Sequence, residues 1–301
     1  MASEAVPSVW ARRGTIPYCR SYPRILEMAT VPVGAGSCRR RLALGLLPQR
    51  VSRQVRARMW AAQSWAFGAL TPMQNAGMPE RPDVTLPLTK YGKGGAGYLV
   101  FDKPLTPKSV VYAVGVGNDI SFDQSLIDRF ELHVHAFDPT NQSRRYVEEQ
   151  QPHPNFHFHQ LAIGGSDGRL PFRRLKPSHD SYLPGTILDV PGRKRGDQVV
   201  KALSLASAME GNGHKHVDLL KLDVEGGEFV ILESLCAERL DVRQIVFEVH
   251  PHLANLAHHS LMWGKYGWRR SAALLRRLRS VGYDLAAISD RGTEFTLVAN
   301  R

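Results

Sequence analysis

Between Val217 and Phe229 the chain reads VDLLKLDVEGGEF. A short apolar run delivers two carboxylates, Asp223 and Glu225, at its carboxyl end, and Gly226-Gly227 breaks the chain before Glu228. Two upstream runs behave alike, SVVYAVGVGND (Ser109–Asp119) and LHVHAFDP (Leu132–Pro139). Continuously apolar runs of this length belong to strands buried on both faces. Three of them, each ending in a glycine or an acid, predict an α/β sheet with a ligand lying across its carboxyl edge. A nucleoside-bearing cofactor suits that order and spacing.

Strand and helix alternate from about residue 97 onward. Tyr98–Phe101 reads as a short lead strand and Ser109–Val114 as the first core strand. Phe122, Leu126, Ile127 and Phe130 recur with a helical period over Ser121–Phe130. Leu132–Phe137 is the next strand, Asn141–Glu149 a helix with Asn141 as its N-cap, and Phe156–Ile163 a third strand. Leu170-Pro171-Phe172 begins a strand or hairpin, and residues 173–198 read as a long surface insertion. Val217–Leu222, a helix opening at Phe229, and Gln244–Val249 continue the pattern. Ser271–Val281 is a helix stopped by Gly282, and Leu285–Ile288 with Phe295–Val298 make an antiparallel pair. The alternation implies a mostly parallel sheet with helices on both faces.

Charge divides the 301 residues unevenly. Residues 1–79 carry eleven arginines, no lysine and only Glu4 and Glu27 as acids, a net charge of +9 out of the chain's +11. The folded part is therefore almost neutral, so no nucleic-acid partner is expected for it. We divide the chain into a basic, largely irregular arm and linker over 1–95 and a folded domain over 96–301. The arm's Arg-rich, acid-poor composition fits an organellar transit peptide, mitochondrial or plastid; the alternatives are a disordered basic tail on a cytoplasmic protein or an Arg-favouring codon bias. No apolar run reaches the ~18 residues of a transmembrane helix. Cys19, Cys38 and Cys236 form neither a disulfide framework nor a zinc spacing, and Cys236 is expected to pack as a small buried residue.

Several residues carry candidate chemistry. Gly115-Val116-Gly117 follows a strand and precedes a helix, where glycine permits a tight turn and close approach to a ligand; an ordinary turn is the alternative. Asp138 ends the next strand and can accept from two ribose hydroxyls, or else cap the turn at Pro139. Asn118-Asp119 stands where a dinucleotide loop needs its third glycine. An acid there repels a diphosphate but can pair with the amino group of a methionine moiety. Asp223 and Glu225, two apart, could bind a cationic group, coordinate a metal or act as base. Glu228 either caps the following helix or joins the site. Glu248 and His250 end the fifth strand, with His250 a candidate general base. His252, His258 and His259 follow without a helical metal-binding spacing, so no metal is expected. His133/His135 and His157/His159 occupy alternate strand positions and mark polar strand faces.

Together VVYAVGVGNDISFD, HAFDPT, FHFHQLAIGGSDG, VDLLKLDVEGGEF, IVFEVH and EFTLV resemble the FkbM-type methyltransferases over about residues 110–298. LLKLDVEGGE is the most specific of these pieces. The resemblance implies a Rossmann-like class I methyltransferase fold, with a seven-stranded sheet and a terminal antiparallel strand. It also implies S-adenosyl-L-methionine as cofactor and O-methylation as the usual reaction. Carried over by position, Gly115, Gly117 and Asp119 would line the methionine end and Asp138 the ribose. The Ala162–Asp167 turn, with Ile163 and Asp167, would border the adenine, and Asp223 with Glu225 the methyl-transfer centre. Ala113 stands where many such enzymes carry an acid, which leaves Asp119 to neutralise the methionine ammonium.

The reading is a methyltransferase acting on a small-molecule or glycan hydroxyl, with His250 or Asp223 removing the acceptor proton. Trp263, Tyr266 and Trp268 either shape the acceptor site or pack in the core. Two rivals remain at this level. One is an NAD-type oxidoreductase. The other is a non-catalytic module of the same fold that binds RNA or an anionic membrane through its basic arm.

Overall fold

The structure, a computed structural model, describes residues 77–174, 185–187, 198–250 and 263–300. Strands β1 (Thr89–Tyr91) and β2 (Tyr98–Val100) form an antiparallel hairpin. The first apolar runs become β3 (Val110–Val114), helix α1 (Ser121–Phe130), β4 (His133–Phe137), α2 (Asn141–Gln150) and β5 (Phe156–His159). A smaller group follows: β6 (Ala162–Gly164), β7 (Gly168–Arg174), β8 (Gly185–Thr186), β9 (Gln198–Ser204) and α3 (Leu205–Gly211). The chain then gives β10 (Leu219–Leu222), α4 (Glu228–Glu238), β11 (Gln244–Glu248), α5 (Trp263–Ser280), β12 (Tyr283–Ile288) and β13 (Glu294–Ala299).

Seven strands make the main sheet in the order β12-β13-β11-β10-β3-β4-β5. Pairing is parallel from β11 through β5, and β13 lies antiparallel between β11 and β12. This is the expected Rossmann-like class I arrangement, with the last strand in the chain reversed. Side chains alternate across β3. Tyr112 and Val114 join the core that contains Phe229, Leu232 and Leu275, while Val111 and Ala113 join the one that contains Leu126, Ile127 and Val134. Both faces are therefore dry, and polar chemistry is confined to strand ends.

Four details differ from the sequence reading. The strand expected over Phe156–Ile163 is two strands: the chain turns at Gln160-Leu161, and β6 leaves the main sheet to pair with β9. That pairing founds a four-stranded sheet, β6-β9-β7-β8, in which β7 is the strand expected from Leu170-Pro171-Phe172 and only β8 lies wholly within the region read as a surface insertion. Residues 175–184 and 188–197 of that insertion lie outside the described residues. Thr140, not Asn141, caps α2, because its side chain accepts from Ser143 N–H. Packing also reaches back past the 95/96 boundary. Met78 is buried in the core, and Asp83 binds both the Arg279 guanidinium and the Leu285 N–H.

The adjoining ends of β3 and β10 approach closely. Gly115 holds φ +88°, and a Cβ there would lie 1.8 Å from the Asp223 carbonyl oxygen. Gly213, at φ +73°, has open space around its own missing Cβ. Gly115→Ala should therefore cost about 3 kcal/mol or more, against ~1 kcal/mol for Gly213→Ala, measured by urea unfolding. Equal costs would contradict the close-approach argument.

Candidate functional site

A cleft opens where β3, β4 and β10 end. Phe137, Ile163, Phe172, Ile187 and Val224 give it apolar walls, and Gly115, Asp138, Asp223 and Glu225 line its polar part. The glycine loop above β3 is fastened from two directions. Lys221 Nζ donates to the Gly115 carbonyl at 2.7 Å, and Asp138 Oδ2 accepts from the N–H groups of Val116 and Gly117 at 3.1 and 3.2 Å. Asp138 Oδ1 accepts from the Thr140 N–H at 2.9 Å and its hydroxyl at 2.7 Å. The Asp138 carboxylate, expected at the ribose, thus spends four acceptor positions on its own loop and turn.

Beyond Glu225 the site becomes a cage of acids around one imidazole. His250 Nε2 lies 3.8 Å from Asp223 Oδ1 and 3.8 Å from Glu225 Oε2, and its Nδ1 is 3.5 Å from Glu228 Oε1. Glu228 is fully buried and accepts from the Gly226 and His250 N–H groups. Burial alone would push the His250 pKa down. The adjacent Glu228 carboxylate and the charges of Glu225 and Asp223 outweigh it and lift the pKa to about 10. His250 is therefore an imidazolium at neutral pH and has no lone pair with which to act as the general base expected of it. Glu248 shows the opposite: desolvation, reinforced by Asp223, Glu294 and Glu225 against His250, raises it to about 7. Glu225 is raised as well, by desolvation first.

Asp223, Glu248 and His250 each bring a ligand atom within 4.8 Å of the others, a grouping that in kind suits a divalent cation. With His250 protonated, the trio works instead as two acids beside a fixed positive charge.

Other expected residues fall elsewhere. Asp119 Oδ1 accepts from Ser121 N–H at the start of α1. Asp167, expected at the adenine, accepts from Ser204 N–H and the Ser207 hydroxyl, so it ties the β6–β7 turn to the start of α3. Ile163 does line the cleft. Trp268 packs against the core, and residues 251–262, with His252, His258 and His259, lie outside the described residues.

Three residues escaped sequence reasoning. Tyr98, from the β1–β2 hairpin, donates its hydroxyl to Asp223 Oδ2 at 3.2 Å. Lys221 sits 5.8 Å from the Tyr98 ring centroid and 4.0 Å from Asp223 Oδ2. Asp123, buried in the first turn of α1, keeps one carboxylate oxygen without a hydrogen-bond partner and is pushed up to about 6 by burial, which the Lys221 charge opposes. A lysine interrupting an apolar strand was the one legible signal among them.

A family model described as the methyltransferase FkbM domain matches residues 108–285. Probable methyltransferase-like protein 24 of Homo sapiens is 26% identical over 144 residues, covering 47% of this chain and 32% of that protein. The Rattus norvegicus protein of the same name is 26% identical over 149 residues, covering 49% and 34%. The chain thus spans about a third of the length of these curated relatives. Among solved structures, Aeropyrum pernix fibrillarin with natively bound S-adenosyl-L-methionine aligns at a TM-score of 0.34 with 11% identity, covering 74% of this chain and 86% of that one. That likeness is too loose to bear an inference.

The caged imidazolium has a consequence for stability. Its folded pKa of about 10 exceeds the ordinary 6.5, so its contribution is complete below about pH 6.5 and is lost as pH rises toward 10. At pH 7 His250→Gln should be less stable than the native protein by about 3 kcal/mol in urea unfolding. That gap should narrow steadily between pH 7 and 10; a constant gap would mean that His250 is not charged in the folded state.

Proposed function

The chain belongs to the methyltransferase FkbM domain family, and we propose that it transfers the methyl group of S-adenosyl-L-methionine to a hydroxyl of a small-molecule or glycan acceptor. The observation that carries this reading is the cleft at the ends of β3, β4 and β10, apolar on one side and acidic on the other. When bound, the cofactor supplies a methyl group made electrophilic by its sulfonium.

The lining fits such a molecule in kind. Phe137, Ile163, Phe172 and Ile187 offer a dry slot for adenine, and Asp138 lies at the end of β4 where a ribose would pass. Ribose hydroxyls can reach Asp138 only by displacing donors it already holds, those of the glycine loop or of Thr140. Cofactor binding and loop position are coupled on this reading. Asp223 and Glu225 line the acidic end, where their charge favours a cationic sulfonium.

The protein's remaining task is to orient the acceptor oxygen and take its proton. Glu248 suits the second role, since a carboxylate titrating at about 7 is a competent base near neutral pH. His250 holds the surrounding carboxylates in place as their counter-ion, and Tyr98 positions Asp223 by hydrogen bond.

Methyl transfer from radiolabelled S-adenosyl-L-methionine to a panel of monosaccharides and phenols tests the assignment. The rate should rise with pH through about 7, and Glu248→Gln should lower it about 100-fold at pH 8. Glu248 has a raised folded pKa, so its contribution to stability is present below about pH 4.5 and lost as pH rises through about 7. The same variant should therefore melt about 2–4 °C higher than the native protein at pH 8. An undiminished rate, or a flat pH profile, would remove Glu248 from this role.

A further inference from the structure

Away from the cleft, the outer strands of the main sheet carry a ladder of imidazoles. In the parallel pairing of β4 with β5, His135 stands opposite His157 and Phe137 opposite His159. His133, His135 and Phe137 share one face of β4 by the two-residue period of a strand. His133 Nδ1 lies 2.8 Å from His157 Nε2, with the two rings within 3° of parallel. His135 Nδ1 lies 3.2 Å from His159 Nε2. His214 meets His135 edge-on at 4.8 Å and is held through Nδ1 by the Tyr112 hydroxyl at 2.9 Å.

We propose that the His133–His157 pair is the seat of a late first-row divalent cation, of the Zn²⁺, Ni²⁺ and Cu²⁺ class, with water completing its coordination. Two imidazole nitrogens on one tetrahedral metal, each bonded at about 2.0–2.1 Å, stand about 3.3 Å apart. The observed contact, 2.8 Å with the rings nearly parallel and head-on, falls short of that, so the exposed His133 ring at the start of β4 must swing as well as move outward to bring both lone pairs onto one ion. The present contact needs one N–H and one lone pair. Moving that proton to the same ring's other nitrogen frees both facing lone pairs without releasing a proton to solvent. Imidazole donors favour Zn²⁺, Ni²⁺ and Cu²⁺ over Mg²⁺ and Ca²⁺. Orientation comes from the ladder itself: His157 contacts His135 at 4.9 Å, and His135 rests on His214 and so on Tyr112.

Calorimetric titration of the full chain without an affinity tag, using ZnCl₂, NiCl₂ and MgCl₂ separately, tests the proposal. Zn²⁺ and Ni²⁺ should bind saturably with a dissociation constant of about 10 µM, and Mg²⁺ should give no saturable heat. His157→Gln should weaken Zn²⁺ binding at least tenfold with an unchanged circular-dichroism melting curve, whereas His258→Gln should leave it unaltered. Bound Cu²⁺ should show coordinated nitrogen in its electron paramagnetic resonance spectrum, and His133→Gln should reduce the number of coupled nitrogens. Absence of saturable Zn²⁺ heat, undiminished affinity in His157→Gln, or loss of binding in His258→Gln would overturn the proposal.

Discussion

The close approach of Gly115 to the Asp223 carbonyl is the constraint on which the rest depends. Adjacent parallel strands can bring their ends so near only where one residue lacks a side chain. Here Asp223 N–H still bonds Val114 O at 3.0 Å, so pairing continues one residue past β10. Asp223 is thereby fixed beside the glycine loop, and Glu225, at φ +49°, turns back toward the same point. Lys221, one turn of the pleat earlier, is left beneath the loop and binds its carbonyl. A single backbone contact thus sets the geometry of the cleft's polar side.

Charge then has to be balanced inside that geometry. Asp223, Glu225, Glu228, Glu248 and Glu294 gather where, among the described residues, His250 and Lys221 supply the positive charge. Like charges ~4 Å apart in partly desolvated surroundings repel by roughly 4 kcal/mol at an effective dielectric near 20. The fold responds in two ways. It protonates His250 fully and surrounds it, and it lets Glu248 and Glu225 drift toward the neutral form. A strand edge that is strained electrostatically in this way is suited to receive a cation, and it supplies a carboxylate poised near neutral pH.

Much of the fold was legible because its central strands are apolar on both faces. β3 and β11 announce themselves as apolar runs, β10 does so with Lys221 as its one interruption, and their polar ends stand out against them. The small sheet built from β6 to β9 was legible only in part. Leu170-Pro171-Phe172 marked β7, but β6 and β8 have only three and two residues, and the turn at Gln160-Leu161 changes no composition. At the site, sequence located Asp138, Asp223, Glu225 and His250 but not their states. Asp138 is consumed by Thr140 and the glycine loop, and His250 is charged because Glu228 is buried under it. Tyr98 lies 125 residues from Asp223 in the chain, so its contact follows from tertiary packing alone.

Methyl transfer requires the cleft between Ile163 and Asp223 to receive the adenosyl cofactor. Calorimetric titration of S-adenosylhomocysteine into the native chain and into Ile163→Trp, which fills the dry slot, tests it directly. The account predicts saturable one-to-one binding to the native chain and at least tenfold weaker binding to a normally melting Ile163→Trp. No binding to the native chain, or equal binding to both, would contradict it.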